Sequence, residues 1–125
     1  MESTIEYTAK VSERTYASNG GVIVATDEKA YNNYHDFQVY QETEDSTLSS
    51  FISFQKGPIK EVGINGITER DLLEILRFRL ENFQNSEFAS DYNAKALDAI
   101  NTAIESLDAR TKDREKRGVE GTNQK

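Results

Sequence analysis

The chain contains no cysteine, no tryptophan, one proline and one histidine in 125 residues. Without cysteine there is neither disulfide stapling nor a thiolate zinc site. His35 alone cannot build a histidine metal cluster or a zincin helix, and nothing near it in sequence suggests a catalytic triad. Gly57, Gly63 and Gly66 match no Walker or dinucleotide fingerprint. Acidic residues are plentiful, but none is singled out as half of a catalytic carboxylate pair. No apolar run approaches the roughly 20 residues that cross a bilayer. The start, Met1-Glu2-Ser3-Thr4, lacks the basic and apolar regions of a signal peptide. The expectation from these absences is a cytoplasmic, non-enzymatic protein with no cofactor and no bound metal.

What is present describes one domain with a modest core. Hydrophobic residues make up 36% and charged residues 30%, and six Tyr and six Phe are available as anchors. The net charge of −7 is unevenly spread. Residues 1–109 carry nine Lys/Arg against nineteen Asp/Glu, net −10, whereas residues 110–125 carry six against three, net +3. An acidic body repels a nucleic-acid polymer. A small basic zone on such a body suits one compact anion; it also suits the negative end of a terminal helix.

Periodicity gives an α+β organisation. Ile5, Tyr7, Ala9 and Val11 alternate with polar residues, the period-2 mark of a half-buried strand. Asn19-Gly20-Gly21 signals a turn before Val22-Ile23-Val24. Phe37 and Val39 predict another strand and residues 51–54 a further one, separated by a polar loop at 42–47. The expectation is a small N-terminal antiparallel sheet over 1–56 and a connector over 57–68, with Asn65-Gly66 as a tight turn.

The second half is helical. Thr68 and Asp71 make a variant capping box ahead of Leu72, Leu76, Leu80 and Phe83, which share a face, with Ile75 and Phe78 on another. Two apolar faces need two covers. A second helix starts near Ser90 or Asp91 and carries the seam Asn93, Leu97, Ile100, Ile104, Leu107, Thr111, Arg114 before stopping at Gly118. Together, residues 69–118 predict an antiparallel two-helix hairpin that dimerises, and residues 119–125 a tail that frays from 121 onward.

The hairpin carries the candidate site. Arg110 and Arg114 stand at i, i+4, a spacing that lets two guanidinium forks clasp a diphosphate. Phe83 lies at the other end of the hairpin, beside Asn93. An aromatic face and an amide serve a nucleobase by stacking and an edge hydrogen bond. Pattern alone favours core packing for Phe83 and a solvated, dipole-complementing last turn for the arginines, and allows local helix-start bonding for Asn93. Seventeen residues separate Asn93 from Arg110, about 25 Å of helix. One chain therefore cannot bring both to one small ligand, whereas an antiparallel dimer of hairpins can, with two equivalent pockets.

Three segments carry a family resemblance. They are Gly57-Pro58-Ile59-Lys60-Glu61-Val62-Gly63-Ile64-Asn65-Gly66-Ile67-Thr68, the helix start Asn93-Ala94-Lys95-Ala96-Leu97, and the ending from Arg110 through Gly118-Val119-Glu120-Gly121-Thr122. In that order they resemble the phage Thoeris anti-defence proteins of the signal-sponge type, across about the C-terminal half of the chain. The resemblance implies a helical hairpin that sequesters a cyclic ADP-ribose isomer such as glycocyclic ADP-ribose, made by TIR-domain enzymes in the host bacterial cell, without degrading it. It also implies homodimers or hexamers, and cyclic oligonucleotides held at a separate site. Phe83 matches the family's base-stacking phenylalanine, Asn93 its pocket asparagine and Arg110 its phosphate-side arginine, with Arg114 as neighbour. Relatives often place His after the Gly-Thr pair, where this chain has Asn123. The competing readings are a sponge mainly for cyclic di- or trinucleotides of cGAS-like immunity, and an acidic inhibitor that mimics DNA.

Overall fold

The computed structural model describes residues 13–16 and 18–125, so the strand expected over residues 5–11 lies outside the described residues. The architecture is α+β, as the periodicities predict: among the described residues, four strands are followed by helices. By contacts the chain divides into Met1–Gly57 and Pro58–Lys125, where the sequence counts a single domain with a β region ending at 56.

The first unit is an antiparallel meander of β1 (Glu13–Tyr16), β2 (Val22–Ala25), β3 (Asp36–Glu42) and β4 (Thr47–Ser53), in that spatial order. Between β1 and β2, Asn19 and Gly20 take left-handed backbone, φ 60° and 73°, which is why an Asn-Gly pair occurs there. Val22 pairs with Tyr40 and Val24 with Gln38. Val22, Val24 and Tyr40 are all buried and form the core cluster of this sheet. β4 is short of burial along its length, and its Thr47, Ser49, Ser50 and Ser53 suit an exposed strand.

The long β2–β3 loop is held by one carboxylate. Asp27 accepts the backbone N–H groups of His35 at 3.1 and 3.2 Å and of Asp36 at 3.2 Å. His35 is buried, with Nδ1 3.5 Å from Asp27 Oδ2 and its ring edge-on to Tyr31. Burial alone would raise the Asp27 carboxyl; the Asp36 and His35 donors outweigh it and hold the group below its ordinary range. A carboxyl lowered by folding stabilises the fold above its unfolded value, near pH 4, and that contribution is lost as pH falls through the folded value. Asp27→Asn is thus expected to cost on the order of 1 kcal/mol at neutral pH. Urea unfolding at pH 7 and at successively lower pH should show the gap to wild type narrowing once the pH drops below the unfolded carboxyl's value, because the wild type loses the same interaction as Asp27 protonates.

The second unit opens with a four-residue helix, α1 (Ile59–Val62), inside the segment expected to be a connector. The helix α2 (Glu69–Gln84) starts on a reciprocal capping box: Asp71 N–H donates to Thr68 Oγ1 at 3.2 Å, and Thr68 N–H to Asp71 Oδ2 at 2.9 Å. The long helix α3 (Asp91–Lys116) starts on Ser90, whose Oγ accepts the Asn93 N–H at 3.0 Å. Gly118, at φ 71°, ends it. The Val119 N–H reaches Arg114 O and the Gly118 N–H reaches Glu115 O, both at 3.0 Å, a Schellman closure that buries Val119.

Three polar links fix the hairpin register. Arg70 Nε and Nη2 reach the two Asp108 oxygens at 2.6 and 3.3 Å, which holds the Asp108 carboxyl below its ordinary range. Arg77, itself paired with Glu74, reaches Asn101 Oδ1 at 3.5 Å. At the turn, the Gln84 amide both donates to Ser90 O (3.1 Å) and accepts from Ser90 N–H (3.0 Å). The α3 seam points inward as the heptad-like spacing predicts, with Ile104 buried. α2 buries no side chain completely; Ile75 is 54% and Phe78 61% exposed, and Leu76 and Phe83 are also open. A pair of helices covers one face of each partner only, and the second apolar face of α2 stays outward.

The expectation of a frayed tail is corrected. Arg114 Nη1 donates to Gln124 O (2.8 Å) and Nη2 to Val119 O (2.9 Å) and Thr122 O (3.1 Å). Arg117 Nη1 reaches Lys125 O at 2.6 Å, and Gly121 O accepts the Lys60 N–H at 2.9 Å. Gly121 sits at φ 76°, a left-handed backbone that favours glycine, and an added Cβ would lie 3.1 Å from the Lys60 Cγ where the tail is laid on α1. Carbonyls that a free tail would give to water are taken up instead by one semi-buried guanidinium.

Candidate functional site

The hairpin register puts chemistry at two separate ends. At the turn end, Phe83 lines an open cavity of about 500 Å³ with Phe78, Arg79, Asn82, Ser86 and Phe88. Its walls are mostly apolar because three phenyl rings converge there, two from α2 and one from the turn. The Arg79 guanidinium carbon lies 5.9 Å from the Phe83 ring centroid, a cation–π distance that positions the ring. Asn82 Nδ2 donates to Phe78 O at 2.8 Å, which leaves its side-chain oxygen Oδ1 without a described partner. Ser86 closes the helix by donating from Oγ to Phe83 O at 2.7 Å.

Asn93 stands on the first turn of α3, half-buried, at the same end of the hairpin as Phe83. It is not among the residues lining the Phe83 cavity. The sequence reading missed Phe78, Arg79, Asn82 and Phe88. Part of the signal was there: Phe78 and Asn82, and Arg79 and Phe83, stand at i, i+4 on neighbouring rows of α2. Phe88 carried none, since a loop residue obeys no period.

At the opposite end, Arg110 and Arg114 do share a cleft, of about 240 Å³, with Thr111 and Glu120. The two guanidinium groups differ sharply. Arg114 is only 20% exposed, hydrogen-bonded to three tail carbonyls and 3.6 Å from Glu120 Oε2. Arg110 is exposed and makes no ion pair or hydrogen bond with the described residues. An anion entering this cleft therefore meets Arg110 as the uncommitted cation, with Arg114 as a fixed positive floor.

The aromatic end and the cationic end are complementary halves of what a nucleotide needs, yet the hairpin holds them apart. Arg70–Asp108 and Gln84–Ser90 mark its two ends, so Phe83 and Arg110 are separated by most of its length. Among the described residues no helix is long and apolar enough to cross a membrane, and no group of three or more His, Asp or Glu could hold a metal.

This hairpin is also recognisable in sequence. The family model of the Acb2/Tad1 hairpin domain matches residues 48–112. The chain belongs to that family. A relative, "Thoeris anti-defense 1" of Bacillus phage SBSphiJ7, is 46% identical over 74 residues, 59% of this chain and 52% of the relative. The chain thus spans about half the length of the relative it matches. The Acb2/Tad1 hairpin match runs from β4 through α2 and most of α3, and so contains Phe83, Asn93 and Arg110. Arg114 and the tail it anchors lie just beyond it.

Proposed function

We propose that this chain is a phage anti-defence protein that binds a TIR-derived cyclic ADP-ribose isomer, glycocyclic ADP-ribose, and blocks Thoeris signalling in the host cytoplasm by sequestration, without degrading the signal. The observation that carries the reading is the segregation of the two half-sites in an Acb2/Tad1 hairpin: phenylalanines at the turn end, an uncommitted arginine at the other. A second copy of the chain, packed antiparallel on the exposed apolar face of α2, brings one protomer's Phe83 and Asn93 to its partner's Arg110 cleft. In that pocket Phe83 stacks on the base, Asn93 reads its edge and Arg110 holds the diphosphate, with Arg114 behind it. The dimer is also the unit from which a hexamer could grow, and separate sites for cyclic oligonucleotides belong to such larger assemblies.

The direct test is mass spectrometry of glycocyclic ADP-ribose before mixing, in the complex, and after heat release. Unchanged recovery from the complex supports sequestration; a mass change means an enzyme, and no association favours the acidic DNA-mimic reading. Recovery of cyclic di- or trinucleotides alone from infected cells would move the function to cGAS-like immunity. For the turn-end half-site, Phe83→Ala removes a stacking face worth roughly 1–3 kcal/mol. Calorimetry should show affinity for glycocyclic ADP-ribose falling about tenfold or more in a folded variant; an unchanged affinity would make Phe83 a packing residue only.

A further inference from the structure

The cleft at the Arg110 end holds a group that anion binding does not call for. Glu120 lines it beside Arg110, Thr111 and Arg114. Its Oε1 accepts the Gly121 N–H at 3.2 Å. Its Oε2 is buried, accepts no hydrogen bond, and lies 3.6 Å from Arg114 Nε. The side chain is nonetheless 41% exposed and lines the cleft. An ionised carboxylate has about four acceptor positions; a single N–H leaves Oε1 with capacity to spare. The cleft therefore sets one uncommitted cation beside one incompletely satisfied acceptor, in a space too small for either to ignore the ligand of the other.

Charge and hydrogen bonding define what fits. Any phosphate on Arg110 feels the carboxylate, and the repulsion grows with the phosphate's charge. A terminal phosphate carries nearly two negative charges near neutral pH, whereas each phosphorus of an internal diphosphate carries one. A hydroxyl next to the diphosphate is instead a donor that the Glu120 carboxylate accepts, the pairing by which an acidic side chain reads ribose in dinucleotide sites. We propose that Glu120 is a specificity-determining residue: it accepts a ribose hydroxyl flanking an internal diphosphate held on Arg110, and its charge turns away terminal phosphates. The identity of the ligand rests on the sequestration reading above. The consequence is that a closed ADP-ribose ring enters the cleft while the cell's abundant nucleoside di- and triphosphates do not.

Titration of E120Q against wild type with inorganic pyrophosphate and with glycocyclic ADP-ribose tests this. E120Q keeps the shape and an acceptor for the Gly121 N–H but loses the charge. Pyrophosphate should bind it about tenfold tighter than wild type, and the preference for glycocyclic ADP-ribose over pyrophosphate should shrink by at least that factor. E120D keeps the charge and withdraws the oxygen by one methylene; it should still exclude pyrophosphate while binding the ring ligand less tightly. No gain for pyrophosphate in E120Q, or equal shifts for both ligands, overturns the proposal. A wild type that takes no cyclic ADP-ribose isomer, while E120Q gains pyrophosphate over it, sinks the sequestration reading instead. Ribose 5-phosphate against inorganic phosphate then decides Glu120: wild type should prefer the sugar phosphate and E120Q should not, and equal preference overturns the assignment.

Discussion

Arg110→Glu should abolish capture of glycocyclic ADP-ribose and leave the hairpin folded. The wild-type side chain is exposed and has no partner among the described residues, so its replacement breaks no native contact. Charge reversal does more than remove hydrogen bonds to the diphosphate, each worth roughly 1.5–3 kcal/mol when charge-assisted. It also places a second carboxylate beside Glu120 in a small cleft. The expected loss is at least about a hundredfold, read by calorimetry, with an unchanged circular-dichroism spectrum. Arg114→Ala is the contrast: it releases three tail carbonyls together, so its loss of binding should come with a lower melting temperature. If Arg110→Glu unfolds the protein as well, the arginine is structural and its role in the cleft is misassigned.

That contrast marks where the sequence is legible and where it is not. Helix ends could be read because a cap is decided within four residues: Thr68 with Asp71, Ser90 with Asn93, and Gly118 after its Lys116-Arg117 pair. The seam of α3 could be read because period alone places Leu97, Ile100 and Ile104 on one face. The strands at 22–25 and 36–42 followed from β-branched and alternating residues. The i, i+4 spacing of Arg110 and Arg114 correctly put them on one turn, but spacing says nothing of which carbonyls arrive there. The Schellman closure turns the chain back, the left-handed Gly121 bends it onto Lys60, and the tail's carbonyls then meet Arg114. None of these is periodic, and each depends on the one before. The turn-end cavity failed for a related reason: Phe78 was counted as spare apolar surface of α2, although with Phe88 it completes the wall beside Phe83.

Two separately inactive variants should regain binding when refolded together. Phe83 and Asn93 stand at one end of the hairpin and Arg110 at the other, about 25 Å away along α3 at ~1.5 Å per residue. A pocket made of all three must then take its halves from two chains related by a two-fold axis. Asn93→Ala and Arg110→Glu each damage both pockets of their own homodimer. In a mixed dimer, one pocket receives both altered residues and the other receives neither. Random reassociation makes about half of the dimers mixed, so roughly a quarter of all pockets should recover wild-type affinity, by the same symmetry. Calorimetric stoichiometry reads that fraction directly, and mass spectrometry of the intact dimers verifies the exchange. The control is a double variant carrying both changes in one chain, refolded with wild type: its mixed dimers hold two half-damaged pockets, so only wild-type homodimers bind fully. Proven exchange without recovery would place binding within a single chain. The two ends of the hairpin would then be two unrelated sites, because no bend of α3 short of breaking it brings Arg110 to Asn93.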